Sequence, residues 1–181
     1  YDIGLGFLLN RSSDLRFVHW CSVIWQAYER HQVPVTSSQF REAYVSVERQ
    51  LGASPLVQPD FTFRQTLDLK IRLQLEYLIQ QGLAPSAMAQ YHSALVEDLY
   101  ALAQRETAHS LAVLRQLPDV PKVLVSNFYG NLSVVLHEFG FDGCFQQVIE
   151  SAKVGIRKPD PQIFQLGISA LGMSPEEVTV V

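Results

Sequence analysis

Cysteine is scarce in this chain: Cys21 and Cys144 are the only two in 181 residues, far apart and without a CxxC pair. That excludes a disulfide framework and suits a reduced, cytoplasmic protein. Basic residues are also few, 14 Lys and Arg against 18 Asp and Glu, for a net charge of -4. No basic footprint exists, so nucleic acid is not expected as a partner. No run of 18 apolar residues occurs, so no membrane partner is expected, and nothing at the start reads as a signal peptide. His31, His92, His109 and His137 show no metal-ligand spacing. Internal repeats and low-complexity tracts are lacking. What is present is a chain 48% hydrophobic and 18% charged, which calls for a packed core rather than disorder. The length suits one domain, or a core domain carrying an inserted one.

Two textures divide the chain. From about Phe17 to about Leu117 apolar residues recur at helical spacing. Trp20, Ile24, Ala27 and Tyr28 make the first stripe. Thr36 and Gln39 form a capping box ahead of the second, Phe40, Ala43, Tyr44, Val47 and Leu51, which Gly52 and the segment Pro55–Pro59 stop. Leu67, Ile71, Leu75 and Leu78 form the third, ending near Gly82. Ser86 is placed to cap a fourth, carrying Met88, Tyr91, Leu95, Leu99 and Leu102. Short loops between such stripes imply an antiparallel bundle.

After Pro118 the texture changes to short strands alternating with helices. Val123–Val125 reads as a buried strand, and Asn131 opens a helix that Gly140 closes. Phe145–Ile149 reads as a second strand. Asp160 and Pro161 are suited to the N-cap and first position of a further helix. Ser174 with Glu177 forms another capping box, and Val178–Val181 begins a third strand. This alternation implies a parallel sheet, whose ligands sit beyond the carboxyl ends of its strands.

Ser126 and Asn127 lie at one such end, and Lys158 stands just before a helix start. Singly, a strand-end serine is ordinarily a turn residue and a lysine beside a capped helix a solvated charge. Together they supply a hydroxyl, neighbouring backbone N–H groups and a compact positive charge, the parts of a small-anion site such as one for phosphate.

Three stretches also resemble the haloacid dehalogenase superfamily. KVLVSN, from Lys122 to Asn127, is similar to its second motif. KVGIRKPDPQIF, from Lys153 to Phe164, is similar to the lysine-bearing third motif. EEVTVV, from Glu176 to Val181, is similar to the strand leading into the fourth. The helical stretch looks like the cap that one subgroup inserts after its first strand. The resemblance implies an α/β, Rossmann-like parallel-sheet core interrupted by a helical-bundle cap. Its core would take residues 1–15 and 105–181, and its cap residues 16–104.

It further implies a hydrolase, a magnesium-dependent phosphatase that acts on a small phosphorylated metabolite through an aspartyl-phosphate intermediate. Asp2 matches the nucleophile and would also ligate magnesium. Gly4 stands where the family carries a second aspartate; it offers its backbone carbonyl to the metal but no general acid–base group. Ser126 and Asn127 would bind the phosphoryl group and Lys158 would stabilise its charge. A remaining acidic ligand is expected beyond Val181, in a longer protein of which this chain is part. Family members that cleave carbon–halogen or phosphonate bonds also lack an aspartate at the position of Gly4. A dehalogenase or phosphonatase is therefore an alternative, and a non-enzymatic phosphate-sensing domain is another. The substrate and the oligomeric state are not legible.

Overall fold

A computed structural model describes residues 20–117 and 119–180. Asp2, Gly4, His19, the stretch 5–17 and Val181 lie outside the described residues. Four helices come first: α1 (Trp20–Arg30), α2 (Ser37–Ala53), α3 (Phe63–Gln80) and α4 (Ala87–Gln116). The starts of α2 and α3 are set by local chemistry. Thr36 Oγ1 accepts the Gln39 N–H at 3.3 Å while Gln39 Oε1 accepts the Thr36 N–H at 2.8 Å. Thr62 and Gln65 repeat the arrangement at 3.2 and 2.8 Å. Each box satisfies two helix-end donors that would otherwise lack partners. Ser86 departs from expectation: its backbone is already helical and its side chain makes no capping bond.

The stripes expected from spacing are the faces that pack. Trp20, Ile24, Ala27 and Tyr28 of α1 are buried, as are Phe40, Ala43, Tyr44, Val47 and Leu51 of α2 and Leu67, Ile71, Leu75 and Leu78 of α3. α3 packs between α2 and α4, and α1 packs against α2 and α4. The buried stripe of α4 runs Leu95, Leu99, Ala103 and Thr107. That helix of 30 residues is about 45 Å long at about 1.5 Å per residue, and it continues through residues 104 and 105.

The α/β portion follows: β1 (Val123–Ser126), α5 (Leu132–Glu138), β2 (Gln147–Glu150), the single turn α6 (Ser151–Val154), α7 (Pro161–Leu171) and a 3-10 turn at Pro175–Glu177. β1 and β2 pair in parallel, Val123 opposite Gln147 and Ser126 opposite Glu150. Asp160 caps α7 by accepting the Gln162 N–H at 2.9 Å, with Pro161 in the first turn. The second strand lies two residues later than its apolar run suggested, because Phe145 turns into the core beside Phe141. The expected third strand is not formed over residues 178–180. A strand persists only where a neighbour takes its backbone hydrogen bonds. Among the described residues the sheet has two strands, and Val180 is 71% exposed. The capping box at Ser174 and Glu177 does form, but it opens the 3-10 turn.

α7 covers the Val123 and Val125 face of β1 through Ile163 and Gly167. Leu124 faces the other way and joins a hydrophobic cluster shared with the helices, running from Trp20 and Leu99 to Leu132 and Phe141. Polar ties reinforce that shared core. Glu138, the last residue of α5, accepts the Phe63 N–H at the start of α3 and the Tyr100 hydroxyl of α4. A carboxylate at a helix N-terminus satisfies a free donor and complements the dipole.

α7 packs closely on β1 at Gly167, where an added Cβ would stand 2.8 Å from Val125 Cγ2. Helix propensity favours alanine over glycine by about 1 kcal/mol, whereas overpacking costs about 1–3 kcal/mol. Gly167→Ala is therefore expected to lower stability by about 1 kcal/mol in urea denaturation. In a Val125→Ala background the same change becomes neutral or stabilising.

Candidate functional site

The carboxyl end of β1 and the segment before α7 are joined by one side chain. Asn127 donates through Nδ2 to the Lys158 carbonyl at 3.1 Å and accepts the Lys158 N–H on Oδ1 at 2.8 Å. A carboxamide carries the same donor and acceptor as a peptide group, so it pairs with Lys158 as a strand neighbour would. The Lys158 ammonium then folds back to donate to the Val125 carbonyl at 3.3 Å. Ser126 lies between these contacts, buried at the end of β1 and level with Glu150. Ser126, Asn127 and Lys158 are thus within one small region. Burial holds the Lys158 ammonium below the usual lysine range, since desolvation disfavours the charged form.

The loop from Asn127 to Leu132 is held at every residue. Phe128 donates its N–H to Ser151 Oγ at 3.1 Å. Gly130 and Leu132 both donate N–H groups to Glu150 Oε1, at 2.6 and 3.2 Å. Gly130 is needed there because its φ is +107°, a conformation side chains rarely adopt. Asn131 reaches across to the Phe61 carbonyl at 2.8 Å and to Thr66 Oγ1 at 2.9 Å. The Tyr129 hydroxyl donates to Glu48 Oε2 of α2 at 3.0 Å.

Glu150, Ser151, Tyr129 and Glu48 are the residues that sequence reasoning passed over. Glu150 carried the clearest signal, an acid closing an apolar strand. It is 2% exposed and its second oxygen meets the Lys153 ammonium at 3.1 Å, an ion contact outside hydrogen-bond alignment. Trp20 packs edge-on against Phe63 as a core aromatic. Arg157, next to Lys158, reaches α2: a Cβ on Gly52 would stand 3.5 Å from its Nη1.

Magnesium requires several oxygen ligands, commonly carboxylates and water. Among the described residues no group of three or more Asp, Glu, His or Cys side chains converges. Glu150, the carboxylate nearest Ser126 in register, already accepts two N–H groups and faces a lysine. The described residues therefore do not themselves make a magnesium site. Asp2 and Gly4, the expected ligands, lie outside them.

Residues 18–181 match the family model described as haloacid dehalogenase-like hydrolase. No curated protein matches the chain.

Anion binding at Lys158 is expected to depend on pH. The protonated amine attracts an anion and the neutral amine does not, so affinity falls as pH rises through the lysine pKa. That midpoint is expected below the ordinary value of 10.5. Sulfate, dianionic across this range, is the suitable probe in calorimetric titration. Lys158→Arg should keep its affinity to higher pH, because a guanidinium stays protonated.

Proposed function

The chain belongs to the haloacid dehalogenase-like hydrolases, and on that premise we propose that it is a phosphatase of a small phosphorylated metabolite in the cytoplasm. The observation that carries the reading is the clasp of Asn127 on both backbone polar groups of Lys158, which keeps a half-buried ammonium beside the buried strand-end Ser126. A hydroxyl donor and a partly desolvated cation at a strand's carboxyl end suit a tetrahedral dianion.

In this mechanism the Asp2 carboxylate attacks phosphorus, the phosphorus–oxygen bond to the substrate alcohol breaks, and an aspartyl-phosphate forms. Ser126 and the loop beside Asn127 orient the phosphoryl oxygens. Lys158 offsets the charge of Asp2 and of the transferring group, in surroundings where such compensation is stronger than in water. Water then hydrolyses this acyl phosphate, releasing inorganic phosphate and restoring the Asp2 carboxylate. The helical region of residues 16–104 serves as the cap that covers the cleft and selects the substrate. Magnesium is the ion this family commonly uses; Asp2, the Gly4 carbonyl and an acidic residue beyond Val181 are its proposed ligands.

Gly4 favours a second reading. It has no side chain for the acid–base step, commonly worth about 10²–10⁴-fold, so dehalogenation or phosphonate cleavage on the same scaffold is the alternative reaction. A phosphate sensor without turnover is the non-enzymatic one.

Hydrolysis of a generic aryl phosphate with magnesium separates these readings. A phosphatase turns over, and Asp2→Asn abolishes that turnover while leaving sulfate affinity within about threefold, since the nucleophile rather than the anion contacts is lost. Chloride released from a 2-haloacid without metal identifies a dehalogenase. Phosphate binding with no turnover of either substrate identifies a sensor.

A further inference from the structure

The helical region contains an ion pair that its own packing does not require. Glu48 of α2 and Lys70 of α3 are each 3% exposed and face one another as an ion contact. Removing two charges from water is costly, and an apolar pair of similar volume would often stabilise the bundle as well or better. The pair is therefore weak evidence for stability, and its other contacts are more telling.

Those contacts converge on Tyr129. Its hydroxyl donates to Glu48 Oε2, and its ring lies 5.3 Å from the Lys70 ammonium, with Tyr44 on a further side at 5.8 Å. A desolvated ammonium over aromatic faces is favourably placed. Tyr129 packs against the large hydrophobic cluster and also against the smaller one formed by Val47, Leu51, Val57 and Leu69. It sits two residues after Asn127. Arg157, one residue before Lys158, reaches Gly52 one turn further along α2. Both arms of the Asn127–Lys158 clasp thus bear on the same helix.

We propose that Tyr129 is a positioning residue for the anion site, the buried Glu48–Lys70 pair fixing its hydroxyl and through it the loop that carries Asn127. This rests on the assignment of Asn127 and Lys158 to anion binding. The pair supplies direction: the Glu48 carboxylate, oriented by Lys70, is a stronger acceptor than a neutral group, and the tyrosine it holds has little freedom left. Loop and clasp move together because Phe128 and Gly130 are tied to Ser151 and Glu150 on the opposite side.

Sulfate titration of folded protein, well below its unfolding temperature, tests this. Tyr129→Phe removes the hydroxyl and keeps the ring; it is expected to weaken sulfate about tenfold and to lower kcat for aryl phosphate by a similar factor. Leu99→Ala, a core change on α4 that leaves the Tyr129 hydroxyl and its partners in place, should lower Tm yet leave sulfate affinity unchanged. A double variant, Glu48→Gln with Lys70→Met, removes both charges and leaves Tyr129 only a neutral acceptor, and is expected to weaken sulfate by about three- to tenfold. Native affinity in Tyr129→Phe overturns the proposal. So does a proportional loss in Leu99→Ala, which would mark a general stability effect, or native affinity in the double variant. If the native chain binds no sulfate, the anion site itself is refuted and the positioning role falls with it.

Discussion

Asn127 does what a neighbouring strand would do for Lys158. A residue 31 positions downstream has both its backbone donor and its backbone acceptor taken by one carboxamide, in a place where burial makes unpaired polar groups costly. Fixing that peptide fixes where the lysine stem begins. Only then can its ammonium return to the Val125 carbonyl and remain beside Ser126. Alanine at Asn127 would leave both Lys158 groups without that partner, and aspartate would accept the N–H while presenting no donor to the carbonyl. The clasp is thus selective for the amide, and the geometry of the candidate site follows from it.

A second layer holds the first. Two buried carboxylates grip the loop after β1 from opposite sides, Glu150 from the sheet and Glu48 from α2. Each also faces a lysine, Lys153 or Lys70. Ionised carboxylates tolerate burial when their lone pairs are matched by N–H, O–H or ammonium groups. Pairing each acid with a lysine lets it accept from the loop without leaving a lone charge inside. The arrangement constrains the five-residue stretch from Asn127 to Asn131 that connects β1 to α5.

Much of this frame was legible in the residues. Helical periodicity marked the buried faces of α1, α2 and α3 because those faces are continuous and local. Thr36 with Gln39, and Asp160 with Pro161, announced helix starts through contacts spanning three residues or fewer. Ser126, Asn127 and Lys158 stood out by position, at a strand end and before a helix. Tyr129 and Glu48 did not, because they are partners across 81 residues. A glutamate beside Val47 in an amphipathic helix reads as solvated unless its distant partner is known. The strand expected from Val178 onward is not formed over the described residues 178–180 for the converse reason: an apolar run specifies a preference, but a strand needs a neighbour to complete it.

The helical and α/β portions differ in sequence texture yet share one hydrophobic cluster, and this bears on how the site is controlled. α5 is the joint. At its start Asn131 bonds to Phe61 and Thr66, and at its end Glu138 takes the Phe63 N–H. Both ends of one short helix therefore grip the beginning of α3. Leu132, Val135 and Leu136 between them enter the common core. With the start of α3 fixed in this way, the direction of that helix is set, and Lys70, two turns along it, is carried to Glu48. The same short helix begins directly after the loop that ends β1. A single local unit thus orients the bundle and terminates the loop after β1, which is why a charge on α3 can be registered against a side chain beside Asn127 without any flexible linker between them.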